Sequence, residues 1–134
     1  VREIKFRLRI GKKVVGYERW YIGDGSNSHW EYCKNPDGKY PDNVWRPAYI
    51  YHTEKDQYVG LKDKNKKEIY EKDLLESITV RNQGRIFKVL WHQKENEFAD
   101  FRLYYVHDHH IYPFPYGIGA GHFYKIMDPE FKKL

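Results

Sequence analysis

Arg2-Glu3-Ile4-Lys5-Phe6-Arg7-Leu8-Arg9-Ile10 alternates charged and apolar residues almost without a break. Successive side chains of an extended chain point to opposite faces. Ile4, Phe6, Leu8 and Ile10 therefore share one face, and Glu3, Lys5, Arg7 and Arg9 share the other. The segment reads as a half-buried strand with a basic outer face. Gly11-Lys12-Lys13 is a turn, and residues 14–22 read as the returning strand of a hairpin.

Beyond the hairpin the chain is rich in turns. Gly23-Asp24-Gly25-Ser26-Asn27-Ser28, Asn35-Pro36-Asp37-Gly38 and Tyr40-Pro41-Asp42-Asn43 separate two short aromatic pieces, 29–32 and 45–52. Proline fixes φ and glycine supplies a permissive site, so Pro-Asp-Gly marks a turn by mechanism. The stretch of about 23–57 is expected to be either short strands with long loops or an aromatic-rich insertion decorating the core.

From Tyr58 the pattern sharpens into Tyr58-Val59-Gly60-Leu61-Lys62-Asp63-Lys64-Asn65-Lys66-Lys67-Glu68-Ile69-Tyr70-Glu71-Lys72-Asp73-Leu74-Leu75. Here a glycine ends a strand, a charged turn reverses the chain, and Ile69, Tyr70, Leu74 and Leu75 dock back onto the core. Residues 69–75 read as a short strand or a helical turn, and Asp73 is placed to tie a turn down. Residues 77–81 and 85–91 flank Asn82-Gln83-Gly84 as a hairpin with Gly84 near the left-handed region. Residues 97–105 form another strand, anchored by Phe98, Phe101, Leu103 and Tyr105. The proline-rich run 113–121 cannot be a helix interior. Residues 122–127 resume an extended pattern, and Asp128-Pro129-Glu130-Phe131 can open a helical turn. Short strands at regular spacing favour a barrel or sandwich.

Composition agrees with β-structure. The 134 residues are 40% hydrophobic, and 13 Tyr, 7 Phe and 4 Trp carry much of that apolar content. Large rings with polar tips suit half-buried strands and wet binding surfaces alike. The length fits a single domain over 1–134. The formal charge of +5 suits an anionic partner or simply a soluble basic surface. Cys33 is the one cysteine, so no internal disulfide can form and a reducing compartment is expected. Residues 1–10 contain no uninterrupted apolar run and no stretch reaches the length of a membrane span, so the expectation is a cytoplasmic protein with no membrane partner.

Four groups of residues invite a chemical reading. His107-Asp108-His109-His110 would place His107 and His109 on one face of an extended strand, the start of a metal site with His92, His122 or a carboxylate. The usual ligand spacings are absent, so a solvated polar loop is the default and no metal or cofactor is assigned. Cys33 has His29 four residues earlier but nothing that marks it as activated, and Ser26, Ser28 and Ser77 sit in no nucleophile elbow. Gly117-x-Gly119-x-Gly121 lacks the dinucleotide-binding unit that a phosphate-cradling loop would need. The chain is therefore expected not to be an enzyme. Arg19-Trp20-Tyr21, His29-Trp30-Glu31-Tyr32 and Trp45-Arg46 set stacking faces beside cations, a pairing suited to bases or nucleotides. Arg7 and Arg9 would reach phosphates from the outer face of the first strand. The candidate ligand-binding set is thus Arg7, Arg9, Arg19, Trp20, Trp30, Trp45 and Arg46. Against it stands the ordinary use of such rings as core, or as a protein–protein or homo-oligomer interface.

The segment 58–75 resembles the signature of the YopX family, small proteins found mostly in phages and prophages. Arg2-Glu3-Ile4-Lys5-Phe6-Arg7, Gly84-Arg85-Ile86-Phe87-Lys88-Val89 with Trp91, and Tyr124-Lys125-Ile126-Met127-Asp128-Pro129-Glu130-Phe131 are similar to further pieces of the family pattern, in the same order. Where that pattern has two glycines, this sequence has Lys66 and Lys72, which removes permissive φ angles and predicts altered or strained turns. The section 23–57 has no evident counterpart. The resemblance implies an all-β (mainly β) fold, an N-terminal hairpin plus a small barrel-like half over about 58–134, with few short helical turns. It also implies a mobile-element origin. The expected function is a non-enzymatic binding protein that acts on a host process by sequestering a nucleotide signal, a nucleic acid or a host protein. The alternatives are a metal-dependent hydrolase built on the cluster 107–110 and a purely structural homo-oligomer.

Overall fold

A computed structural model describes residues 3–25, 27–78, 83–93, 100–113 and 131–133. The described residues contain strands and no helix, and they build two antiparallel sheets. The first sheet has the order β3-β2-β1-β4-β5, from β1 (Lys5–Ile10), β2 (Lys13–Tyr21), β3 (His29–Cys33), β4 (Glu54–Lys62) and β5 (Glu68–Tyr70). The second has the order β10-β6-β7-β8-β9, from β6 (Leu74–Ser77), β7 (Ile86–His92), β8 (Asp100–Tyr105), β9 (Ile111–Pro113) and β10 (Phe131–Lys133). The chain divides into two compact units, Val1–Tyr58 and Val59–Leu134, and β4 runs through the boundary.

The all-β expectation holds, but among the described residues the barrel-like half does not close. A barrel needs its first and last strands to pair. In the second sheet β9 and β10 are three-residue end strands, and each bonds to a single neighbour, β8 or β6. The helical alternative for 69–75 is also corrected, because the stretch is two strands, β5 and β6, with a turn at Glu71-Lys72 between them. Phe131, expected in a closing helical turn, starts β10. Gly60 does not end its strand; β4 passes through it at φ +93. Gly84, at φ +84, sits in the turn before β7 where a left-handed residue was expected. The expected features at residues 79–82, 94–99 and 114–130 lie outside the described residues.

In the second unit the core is set by strand alternation. Phe87 and Val89 on β7 point the same way as Phe101 and Leu103 on β8 and close over Val59, Leu61, Ile69 and Leu75. Tyr105 and Tyr112 pack on the margin of this cluster. In the first unit β1 is central, with β2 and β4 on its two sides, and Leu8 is fully buried. A bulge between Leu8 and Arg9 shifts the β1–β2 register by one residue. Gly16 lies opposite Leu8, and a Cβ there would sit 2.7 Å from Ile50 Cδ1 and 3.0 Å from the Cys33 carbonyl oxygen, so the segment after Trp45 can lie close over the sheet.

The two lysines that replace expected glycines keep the glycine backbone. Lys66 has φ +68 and Lys72 has φ +72. Each turn is held by its neighbours. Asp63 Oδ1 accepts from the N–H groups of Asn65 (2.8 Å) and Lys67 (2.9 Å), and the Lys66 N–H donates to the Asp63 carbonyl at 3.0 Å. The Lys72 N–H donates to Val89 O at 2.6 Å, and Val89 N–H returns to Asp73 O at 3.0 Å. A side chain in the left-handed region costs roughly 1–2 kcal/mol, partly offset by glycine's larger entropy loss on folding. Lys66→Gly and Lys72→Gly should therefore each stabilise the protein by about 0.5–1 kcal/mol, read as a higher urea midpoint at unchanged slope.

Candidate functional site

The register of the first sheet sorts the candidate residues onto two faces. Phe6 pairs with Glu18, Glu18 with Tyr32, and Trp20 with Trp30, so these residues share one face. Lys5, Arg7, Tyr17, Arg19, Glu31 and Asp56 occupy the opposite face by the same alternation. The aromatic–arginine set expected to work together is therefore split.

On the arginine face the cations are already used. Asp56 lies opposite Arg7 in the β1–β4 ladder and is fully buried. Arg7 donates from Nε (3.0 Å) and Nη2 (2.8 Å) to Asp56 Oδ2. Arg9 donates from Nε to Oδ2 at 2.7 Å and from Nη2 to Oδ1 at 2.9 Å. Burial alone would raise the Asp56 pKa. The hydrogen bonds from Arg9 and Arg7, with their charges, outweigh it and hold the carboxyl below the usual aspartate range. Arg7 and Arg9 are thus placed as the two arms of a buried charge clamp rather than as open phosphate contacts. Arg19 donates from Nε (3.0 Å) and Nη2 (2.9 Å) to Glu31 Oε1, and its guanidinium lies 4.3 Å from the Trp45 ring centroid. Trp45 therefore caps an ion pair. Arg46 is exposed, and its backbone bridges the outer edge of β3, with Tyr32 N to Arg46 O at 2.7 Å and Arg46 N to Tyr32 O at 2.9 Å.

The other face is assembled differently. Trp30 packs edge-on against Trp20 (centroids 5.1 Å apart, 65°) and tilts toward Phe6 at 6.2 Å. The Lys55 ammonium stands 4.4 Å from the Phe6 ring centroid and 5.8 Å from that of Trp30. It donates to Glu18 Oε1 at 3.2 Å. Glu18 is itself buried, and burial, followed by the hydrogen bond to Glu18, raises the Tyr32 phenol pKa. The carboxylate thus fixes both a neutral tyrosine and the lysine. Trp30 remains 39% exposed, enough for a ring to stack on it, and Lys55 is exposed beside it. Tyr49, 66% exposed, extends the aromatic surface through its contact with Tyr32 at 5.4 Å. Lys55 was not among the residues singled out from the sequence. Its place beside the rings depends on β4 returning next to β1, a pairing of residues far apart in the chain.

The family model described as YopX protein matches residues 11–115. The chain belongs to the YopX family. The match encloses the stretch 23–57, and so the aromatic face of β2, β3 and the start of β4 lies within the YopX span. The two islands of resemblance at residues 2–7 and 124–131 lie outside it. No curated protein and no solved structure matches the chain.

The remaining candidates are placed as follows in this YopX chain. His107 and His109 do not share a strand face: they sit in the turn between β8 and β9, with His109 at φ +60 and its N–H donating to Tyr105 O at 2.8 Å. Asp108 Oδ1 accepts from the His110 N–H at 2.8 Å, which closes the turn. His92 is buried, with Nδ1 3.3 Å from the Tyr104 hydroxyl, and His122 lies outside the described residues. Among the described residues no three His, Cys, Asp or Glu side chains converge as a metal site would require. Cys33 is buried, its thiol donates to Asp42 O at 3.2 Å, and burial raises its pKa, the opposite of activation. No helix long and apolar enough to cross a membrane occurs among the described residues.

Proposed function

We propose that this YopX chain is a non-enzymatic binding protein, of phage or prophage origin, that captures single-stranded nucleic acid or a nucleotide and so interferes with a host process in the cytoplasm. The observation that carries this reading is the Trp30–Phe6–Lys55 ledge. An exposed indole is braced by a second ring at its edge, with an ammonium beside it. A base stacks on the indole, and the lysine meets the phosphate that follows. Glu18 holds the lysine in place, so little side-chain entropy is lost when the ligand arrives. The sheet provides the rigid support, because Trp30 and Phe6 sit on regular strands rather than on a loop.

Intrinsic tryptophan fluorescence of the full chain should be quenched on titration with an oligothymidylate or with nucleotides. Stacking on one aromatic side chain is worth about 1–3 kcal/mol, so Trp30→Ala should weaken binding by roughly 5–150-fold. Lys55→Gln should weaken it less and flatten its dependence on salt. Equal affinity of Trp30→Ala and the unaltered chain would sink the assignment.

A further inference from the structure

The sequence from Lys62 to Lys72 leaves its lysines more exposed than its acids. Lys62, Lys64, Lys66, Lys67 and Lys72 are all exposed, and none makes a side-chain ion pair among the described residues. Of the acids in the same stretch, Asp63 faces inward, and Glu68 and Glu71 are half-buried. Asp63 is 1% exposed and its two oxygens take the backbone N–H groups of Asn65, Lys67 and Lys133. Asp73 accepts from the Tyr70 N–H at 2.8 Å and stands 3.2 Å from the Lys133 ammonium. Lys132 and Lys133 on β10 are paired, with Glu76 and Asp73, whereas the turn lysines are not. The backbone adds a second and independent observation. Two of these five cations stand at φ +68 and φ +72, where glycine is the favoured residue and any side chain is strained. The fold tolerates that strain twice in seven residues, each time for a lysine.

We propose that the β4–β5 and β5–β6 turns together form a surface for the phosphate backbone of a nucleic acid. Lys133 ties the two turns to one another, since Asp63 Oδ2 accepts its N–H at 3.1 Å and Asp73 receives its ammonium. The intervening strand β5 has three residues, so the lysine groups lie on the order of 10 Å apart along it. Spaced point charges on flexible stems fit successive phosphates. Protein interfaces, by contrast, are depleted in lysine and centre on buried aromatic anchors. This surface lies in the second unit, and its assignment does not depend on the Trp30 ledge of the first.

The test is fluorescence anisotropy of the full chain with a labelled oligothymidylate of about 20 nucleotides, repeated across a salt series. Lys66→Gly/Lys72→Gly should bind about tenfold more weakly at about 50 mM salt, with the salt slope smaller by about 1.4. The same variant should melt no lower than the unaltered chain, so loss of binding cannot be assigned to unfolding. Lys12→Gln/Lys13→Gln removes the same charge from exposed positions at the β1–β2 turn and the start of β2 and should change affinity less than about threefold. Unchanged affinity in the glycine variant, an equal loss in the control, or equally effective competition by polyglutamate would each overturn the proposal. A loss confined to Trp30→Ala would retain the ledge and remove this surface; a loss confined to the glycine variant would do the reverse.

Discussion

Asp56→Ala should destabilise the protein by about 3–5 kcal/mol, the range for removing one partner from a buried ion pair. The carboxylate is the shared acceptor for Arg7 and Arg9, both on central strand β1 and each more than four-fifths buried. Without it two guanidinium groups are left facing one another with four hydrogen bonds unmade. A loss of that size is a large share of the roughly 5–15 kcal/mol that a domain has. Urea unfolding of the variant against the unaltered chain measures it directly. A change below about 1 kcal/mol would show that Arg7 and Arg9 are solvated and available, not held in a buried clamp.

Asp63→Ala should cost about 2–4 kcal/mol, since one buried carboxylate serves three backbone N–H groups and these charge-assisted bonds are the stronger kind. Burial works against the charged form of Asp63. The N–H groups of Lys133, Lys67 and Asn65 overcome it and hold the carboxyl below its usual range. The folded-state values of Asp56 and Asp63 are therefore both depressed. Their contribution is complete above the ordinary aspartate value of about 3.9 and is lost as the pH falls through the folded values. Thermal unfolding should accordingly be steady from neutral pH to about pH 5 and fall steeply below about pH 4. Either alanine variant should show a shallower acid decline than the unaltered chain. Hydrogen exchange should also show faster exchange at Lys133 in Asp63→Ala, because that side chain anchors β10 to the β4–β5 turn.

Strand identity was largely legible in the chain, because a period of two needs only local information. The alternation of residues 2–10 places β1 correctly and sorts its residues by face. It did not reveal that the basic face is covered, since Asp56 lies 49 residues beyond Arg7 and carries no local mark of its role. For the same reason nothing local marks Lys55, whereas Trp20 and Trp30 stand out by residue type. The split of Arg19 from Trp20 follows from their being neighbours in a strand, and alternation alone could have found it. Trp45 is different, because its contact with Arg19 arises from an irregular segment whose path no periodicity fixes. The unusual backbone at Lys66 and Lys72 was readable as an expectation of strain, and the turns retain the positive φ. Failure of the barrel to close was not readable, because closure depends on which end strands pair and how long they are.

In the proposed function, ligand meets the Trp30 face of the first sheet and not the arginine face. The four tryptophans, Trp20, Trp30, Trp45 and Trp91, give four indole N–H signals that can be followed separately by NMR. Titration of the full chain with an oligothymidylate should shift the Trp20 and Trp30 signals and leave those of Trp45 and Trp91 in place. Movement of the Trp45 signal with Trp20 and Trp30 unchanged would contradict the account and return the site to Arg19 and its neighbours.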